Sequence, residues 1–240
     1  MMITSISSLS LINIKAPRLE RLRLDVDSIS KLQDCHFPQL RLLSLGDVSS
    51  PAPIDEMTFP NMDQVDFNCF NNVRELDILS SNPRVWSRFP LFFKGDLNEI
   101  ALPRCNLPNL TNLSISCGDE YRTPDSLVTQ ILGLDTSLYP QLRKLHLKDV
   151  FIEEDVDLNF LVNLEAIDLN NVFNIPLIMG EVPHLKSAFI DVTDIEIVKD
   201  DHDNVLFPSL ECLLLGRSLS TMERQYLINI SNANADVIQC

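Results

Sequence analysis

The sequence predicts an α/β solenoid, a curved array with parallel strands on its concave face and irregular or short helical segments on its convex side. Three observations carry this prediction. A template of the form L-x-x-L-x-L recurs along the chain, most clearly at Leu142, Leu145 and Leu147. Starts at residues 19, 40 and 62 step by 21 and 22, and starts at 142, 164, 185 and 210 step by 22, 21 and 25. Such a period suits one supersecondary unit stacked on the next, since a single unit cannot bury its apolar face alone. The last two template leucines alternate with polar residues, as on a half-buried strand.

Taken in order, the first segment, ISSLSLINI, reads as a strand with a first copy of the template at Ile6, Leu9 and Leu11. Good copies follow at Leu19, Leu22, Leu24 and at Leu40, Leu43, Leu45, joined by the short return DSISKLQDCHFP. Proline stands just before many copies. It suits a lead-in turn, because its ring nitrogen cannot donate to a sheet ladder. The register between residues 62 and 110 stays open. Val73 follows Met62 by 11 residues and Leu110 follows Leu97 by 13, too short for a full repeat. Either one member of each pair is not a solenoid strand or the arc is abbreviated there. The stretch from Ser80 to Asp96, with Trp86 and several Phe and Pro residues, reads as apolar convex filler. The copy at Leu110, Leu113, Ile115 precedes the next start by 32 residues, so that unit carries an insertion. Pro124-Asp125-Ser126 before Leu127, Val128, Ile131 and Leu132 predicts a convex helix at about 125–133. The tail SLSTMERQYLINISNA reads as a brief helix acting as a partial cap.

The repeats run almost end to end, so residues 1–240 read as a single domain. The chain starts inside the repeat pattern, which predicts either a part missing upstream or a short stand-alone member. The net charge is −15, from 19 basic and 34 acidic side chains. Such a charge repels nucleic acid and anionic membrane, so neither is expected as a partner. The six cysteines are scattered and none forms a C-x-x-C pair. With no basic n-region at the start, this points to a reducing compartment: the cytoplasm, with the nucleus as the alternative.

No catalytic constellation stands out, so no enzyme and no cofactor are expected. The four histidines sit in different units, with no H-E-x-x-H and no zinc-type Cys/His spacing. Asp200-Asp201-His202-Asp203 lacks the spacing and the glycine of a calcium loop and reads as a solvated turn. No G-x-S-x-G elbow frames a nucleophile. The six glycines form no phosphate-cradling loop.

The units LERLRLDV, LRLLSLGDV, LRKLHLKDV and LEAIDLNNV, with their lead-ins FPQL, FPNM, LPNL and FPSL, resemble the irregular leucine-rich repeats of intracellular proteins. KAPRLERLRL is especially similar to the repeats of F-box leucine-rich proteins. The resemblance implies a leucine-rich-repeat solenoid whose surface binds a protein partner. It also implies an alternative, the substrate-recognition portion of a cullin-based ubiquitin ligase, if an F-box lies upstream. No stretch of this chain looks like an F-box.

The alternation places Lys144, His146 and Lys148 on the outward side of one strand and Asp168 and Asn170 on that of the next. Two lysines and a histidine make the densest basic group on an acidic chain. That group is the expected docking point for an acidic segment of a partner. Other outward positions are Arg21, Arg23, Asp25, Ser44, Gly46, Gln64, Asp66, Asn68, Glu75, Asp77, Glu99, Asn112, Ser114, Phe189 and Asp191.

Overall fold

In the computed structural model, residues 1–6, 9–26, 29–46, 72–80, 108–117, 129–131, 139–152, 156–157, 161–173, 176–178, 182–193, 196–197, 206–231 and 234–239 are described. Their strands, in chain order, are β1 (Met2–Ile6), β2 (Leu9–Ile12), β3 (Arg21–Val26), β4 (Ile29–Gln33), β5 (Leu42–Gly46), β6 (Glu75–Ser80), β7 (Asn112–Cys117), β8 (Thr129–Ile131) and β9 (Lys144–Lys148). They continue as β10 (Val150–Ile152), β11 (Val156–Asp157), β12 (Ala166–Phe173), β13 (Pro176–Ile178), β14 (Ser187–Thr193), β15 (Glu196–Ile197), β16 (Cys212–Leu215) and β17 (Asp236–Gln239). The described helix is α1 (Thr221–Asn229).

The main sheet runs β1-β3-β5-β6-β7-β9-β12-β14-β16-β17, with every neighbouring pair parallel. Smaller parallel strips, β2-β4 and β11-β13-β15, and the pairing of β8 with β10, lie off this path. The architecture is a curved parallel β-sheet solenoid. The α/β expectation is corrected in one respect. The described segments off the main sheet are short parallel strands, and the described helix stands near the C-terminal end of the chain. Of the convex helix expected at 125–133 only 129–131 is described, and there the expectation is corrected. Thr129–Ile131 is strand β8, in register with Val150–Ile152. Pairing of β-branched Thr129, Ile131, Val150 and Ile152 overrides the helical spacing of the apolar residues.

Direct pairing decides which template copies are rungs. β5 bonds to β6, and β6 to β7. Leu43, Leu76, Leu113 and Leu145 therefore stand in successive rungs, and the copies starting at Met62 and Leu97 lie outside the described residues. The first copy is displaced. Ile3 on β1 aligns with Leu24, whereas Leu9 and Leu11 belong to β2 in the second strip. Both are buried, so their apolar parity is that of a strand on another side of the coil.

The core follows from the template. One inward row is Leu22, Leu43, Leu76, Leu113, Leu145, Ile167, Ala188 and Leu213, all buried. The next is Leu24, Ile115, Leu147, Leu169, Ile190 and Leu215, also buried. The first template leucines, Leu40, Leu110, Leu142, Leu164, Leu185 and Leu210, close the corner and are buried too. They sit at the end of a repeated turn. The amide of Leu40 donates to Phe37 O (3.1 Å), that of Leu142 to Tyr139 O (2.9 Å) and that of Leu210 to Phe207 O (3.3 Å). Pro38, Pro140 and Pro208 fill the second position of these turns, where a fixed φ near −65° is favoured. Beyond each turn one carbonyl serves two amides of the next rung. Thr111 O accepts from Arg143 N (2.8 Å) and Lys144 N (2.9 Å), and Arg143 O from Glu165 N (2.8 Å) and Ala166 N (3.0 Å).

Left-handed backbone recurs just after β2 and β4, between β9 and β10, and within β12. Asn13, Asp34, Asp149 and Asn171 have φ of 54°, 52°, 54° and 53°. Asn and Asp tolerate this region better than other residues with a Cβ. The second pair is tied together, Asn171 Nδ2 donating to Asp149 Oδ1 at 2.5 Å. At the C-terminal end α1 opens on a capping box. Glu223 N donates to Ser220 Oγ (3.3 Å) and Ser220 N to Glu223 Oε2 (2.6 Å). Leu227 is its buried residue.

Candidate functional site

The residues expected to bind a partner are positioned by β9 and β12. Their register is Lys144↔Ala166, Leu145↔Ile167, His146↔Asp168, Leu147↔Leu169 and Lys148↔Asn170. Leu145, Leu147, Ile167 and Leu169 fill the core, so Lys144, His146, Lys148, Asp168 and Asn170 fall together on the opposite side of the sheet. The sequence reading placed these five residues side by side, and the structure puts them there.

The chemistry within the group is more internally paired than the sequence suggests. His146 Nδ1 and Asp168 Oδ2 are 2.8 Å apart, with the side chains 35% and 42% exposed. The carboxylate can only accept, so this contact puts a proton on Nδ1. Asp168 Oδ1 is shielded from solvent and makes no hydrogen bond, which leaves His146 as the hydrogen-bond partner of that carboxylate. Lys148 Nζ stands 3.8 Å from Asp149 Oδ2, a long contact. Lys144 is exposed and has no acidic partner among the described residues. Among the described residues Lys144 is therefore the cation of the group without an acidic partner, with Lys148 loosely held and His146 oriented by Asp168.

The outward positions line up from strand to strand. One row reads Arg21, Leu42, Glu75, Asn112, Lys144, Ala166, Ser187 and Cys212. A second reads Arg23, Ser44, Asp77, Ser114, His146, Asp168, Phe189, Leu214 and Ile238. The cationic group thus has polar β7 on one side, with the acids of β6 beyond it. On the other side, past Asp168, lie three apolar residues. Sequence reasoning placed Phe189 on this face but missed Leu214 and Ile238. Parity from Leu213 and Leu215 gives the signal for Leu214, hidden by the unbroken run of leucines around it. Ile238 lies beyond the last template copy.

Arg143 Nη1 reaches Glu165 Oε1 at 3.4 Å across the lead-in of the same two rungs. Both side chains are well exposed, so this pair contributes at most about 1 kcal/mol. Cys35 and Cys212 are free thiols. Trp86, the cysteines at 69 and 105 and the acidic run 200–203 lie outside the described residues. Among the described residues no group of three or more His, Cys, Asp and Glu side chains could hold a metal ion. No described helix is long and apolar enough to cross a membrane. No family model matches the chain, and no curated protein matches it.

Proposed function

We propose that this chain is a non-catalytic protein-interaction scaffold of the leucine-rich-repeat kind, and that a partner docks on the solvent face of β9 and β12. The observation behind this reading is the register that sets exposed Lys144 and loosely held Lys148 beside Asp168 and Asn170 on one continuous sheet surface. A solenoid builds such a surface from side chains that its core does not need. The fold leaves the ligand open. The charges narrow it to a protein segment with acidic residues, because a basic island within a field of −15 attracts such a segment while the surrounding field repels polyanions. The scattered cysteines, with no C-x-x-C pair, are the basis for placing the chain in a reducing location, cytoplasmic or nuclear.

The test is a comparison of the full chain with its Lys144→Glu/Lys148→Glu variant as baits in parallel affinity purifications. Lys144 is exposed and Lys148 keeps only a long contact to Asp149, so the double reversal should lower the melting temperature by a few degrees, part of it from the like charge that Lys148→Glu sets beside Asp149. Proteins retained by the original chain should be lost from the variant, and their binding should weaken with salt. An identical set of retained proteins at low salt, with both baits folded, removes the surface from the binding role. The narrower reading, substrate recognition in a cullin-based ubiquitin ligase, draws support from the proline-led repeats alone. It predicts that ligase adaptor proteins copurify with the natural full-length product, and their absence there counts against it.

A further inference from the structure

Along the second outward row the side chains are polar or charged from Arg23 to Asp168, then turn apolar for three successive strands. Phe189 on β14, Leu214 on β16 and Ile238 on β17 stand in direct register. Phe189 and Leu214 are partly exposed, and Ile238 is 50% exposed. The core on the other side of these strands is already filled by Ala188, Ile190, Leu213 and Leu215. The fold therefore gains no interior packing from the three outward residues. On one flank the stripe is bordered by Ser187, Cys212 and the exposed Asp236, and the small side chains of the first two leave Phe189 and Leu214 open to an approaching chain. On the other flank Asp191 is engaged, its Oδ1 accepting from Ser218 N at 3.0 Å. A contiguous apolar stripe with a polar border marks a contact surface.

Its position relative to the cations gives the occupant. Neighbouring strands lie about 4.8 Å apart. Phe189 is two strands from Lys144 and Lys148, about 10 Å, and Leu214 is three, about 14 Å. On the opposite side of β9, also two strands away, Glu75 and Asp77 present carboxylates that have no cationic partner among the described residues. An acidic side chain on the lysines is repelled from sliding toward β6, and an apolar one gains area only toward β14 and β16. We infer that Phe189, Leu214 and Ile238 form the second half of the docking surface. Its partner is one extended segment running across the strands, with an acidic residue over Lys144 and Lys148 and apolar residues about three to four positions further on. That spacing follows from about 3.3 Å of reach per extended residue. The inference rests on the proposed binding role of β9 and β12, and adds the chemistry and spacing of the segment that binds.

A random peptide display library selected against the full chain tests it, with Leu214→Ser and Lys144→Glu/Lys148→Glu as parallel targets. Thermal melting first establishes that each variant is folded. Sequences pairing an acidic residue with an apolar one three to four positions away should be enriched about tenfold or more over the starting library. On Leu214→Ser the apolar preference should disappear while the acidic preference stays. On the lysine variant the acidic preference should disappear, with basic residues taking those positions. Enrichment of acidic sequences with no apolar preference, unchanged on Leu214→Ser, overturns this inference and leaves the wider binding role standing. If the folded chain enriches no sequence class at all, both are refuted.

Discussion

Leu145 and Leu42 are the same residue type on opposite sides of the same sheet, and replacing each with alanine separates inward from outward register. Leu145 is 1% exposed, lies between Leu113 and Ile167 in the stack, and is followed on its own strand by buried Leu147. Truncation to alanine removes three buried carbons and leaves a void that stacked strands on both sides can collapse into only partly. The expected cost is about 2–5 kcal/mol. Leu42 pairs with Arg21 and Glu75 in an outward row and is only partly covered. Its truncation should cost about 0.5 kcal/mol or less, as for other surface positions. Solenoid stability is a sum over rungs and their interfaces, so loss at a central rung weakens coupling to both neighbours. Against a total of about 5–15 kcal/mol this is a large fraction. With a urea dependence of about 2–3 kcal/mol/M, Leu145→Ala should lower the unfolding midpoint by about 1–2 M. Leu42→Ala should move it by about 0.2 M. Urea titrations followed by far-UV circular dichroism measure both. Equal shifts for the two variants would refute the assignment of inward and outward rows.

Other substitutions test local devices by thermal melting. A methyl at Gly216 would overlap the Asp191 side chain, so Gly216→Ala should cost about 1–3 kcal/mol. Its effect should be less than additive with Asp191→Gly, which removes the clashing Cβ together with the carboxylate. Ser220→Ala breaks the capping box of α1 and should cost about 1 kcal/mol. At Asn171, whose φ is 53°, glycine and alanine both lose the bond to Asp149. Only alanine adds left-handed strain, so Asn171→Gly should be the more stable variant, by about 1 kcal/mol.

The repeat was legible because its signal is periodic: buried leucines with polar residues between them specify a strand face wherever the stack continues. For the same reason β9 and β12 could be aligned from sequence, and the five outward residues with them. What escaped was set by pairing between distant segments. Thr129–Ile131 carries a helical apolar spacing, yet it is held as a strand by Val150–Ile152. Leu9 and Leu11 follow the template, yet belong to a second strip because β1 already occupies the main sheet ahead of them. The pairing of His146 with Asp168 depends on side-chain reach between rungs, which alternation alone does not give. The apolar stripe was only partly visible, since in a run such as Cys212–Leu215 every residue looks like core.

The location of the proposed binding surface rests on the parallel register through β7, β9 and β12. Methyl-labelled nuclear magnetic resonance reads that register directly. Cross-relaxation should connect Leu113 with Leu145 and Leu145 with Ile167 in one row, and Ile115 with Leu147 and Leu147 with Leu169 in the next. A register displaced by one residue, or antiparallel connectivities between these strands, would contradict it and take Lys144, His146 and Lys148 off the shared face.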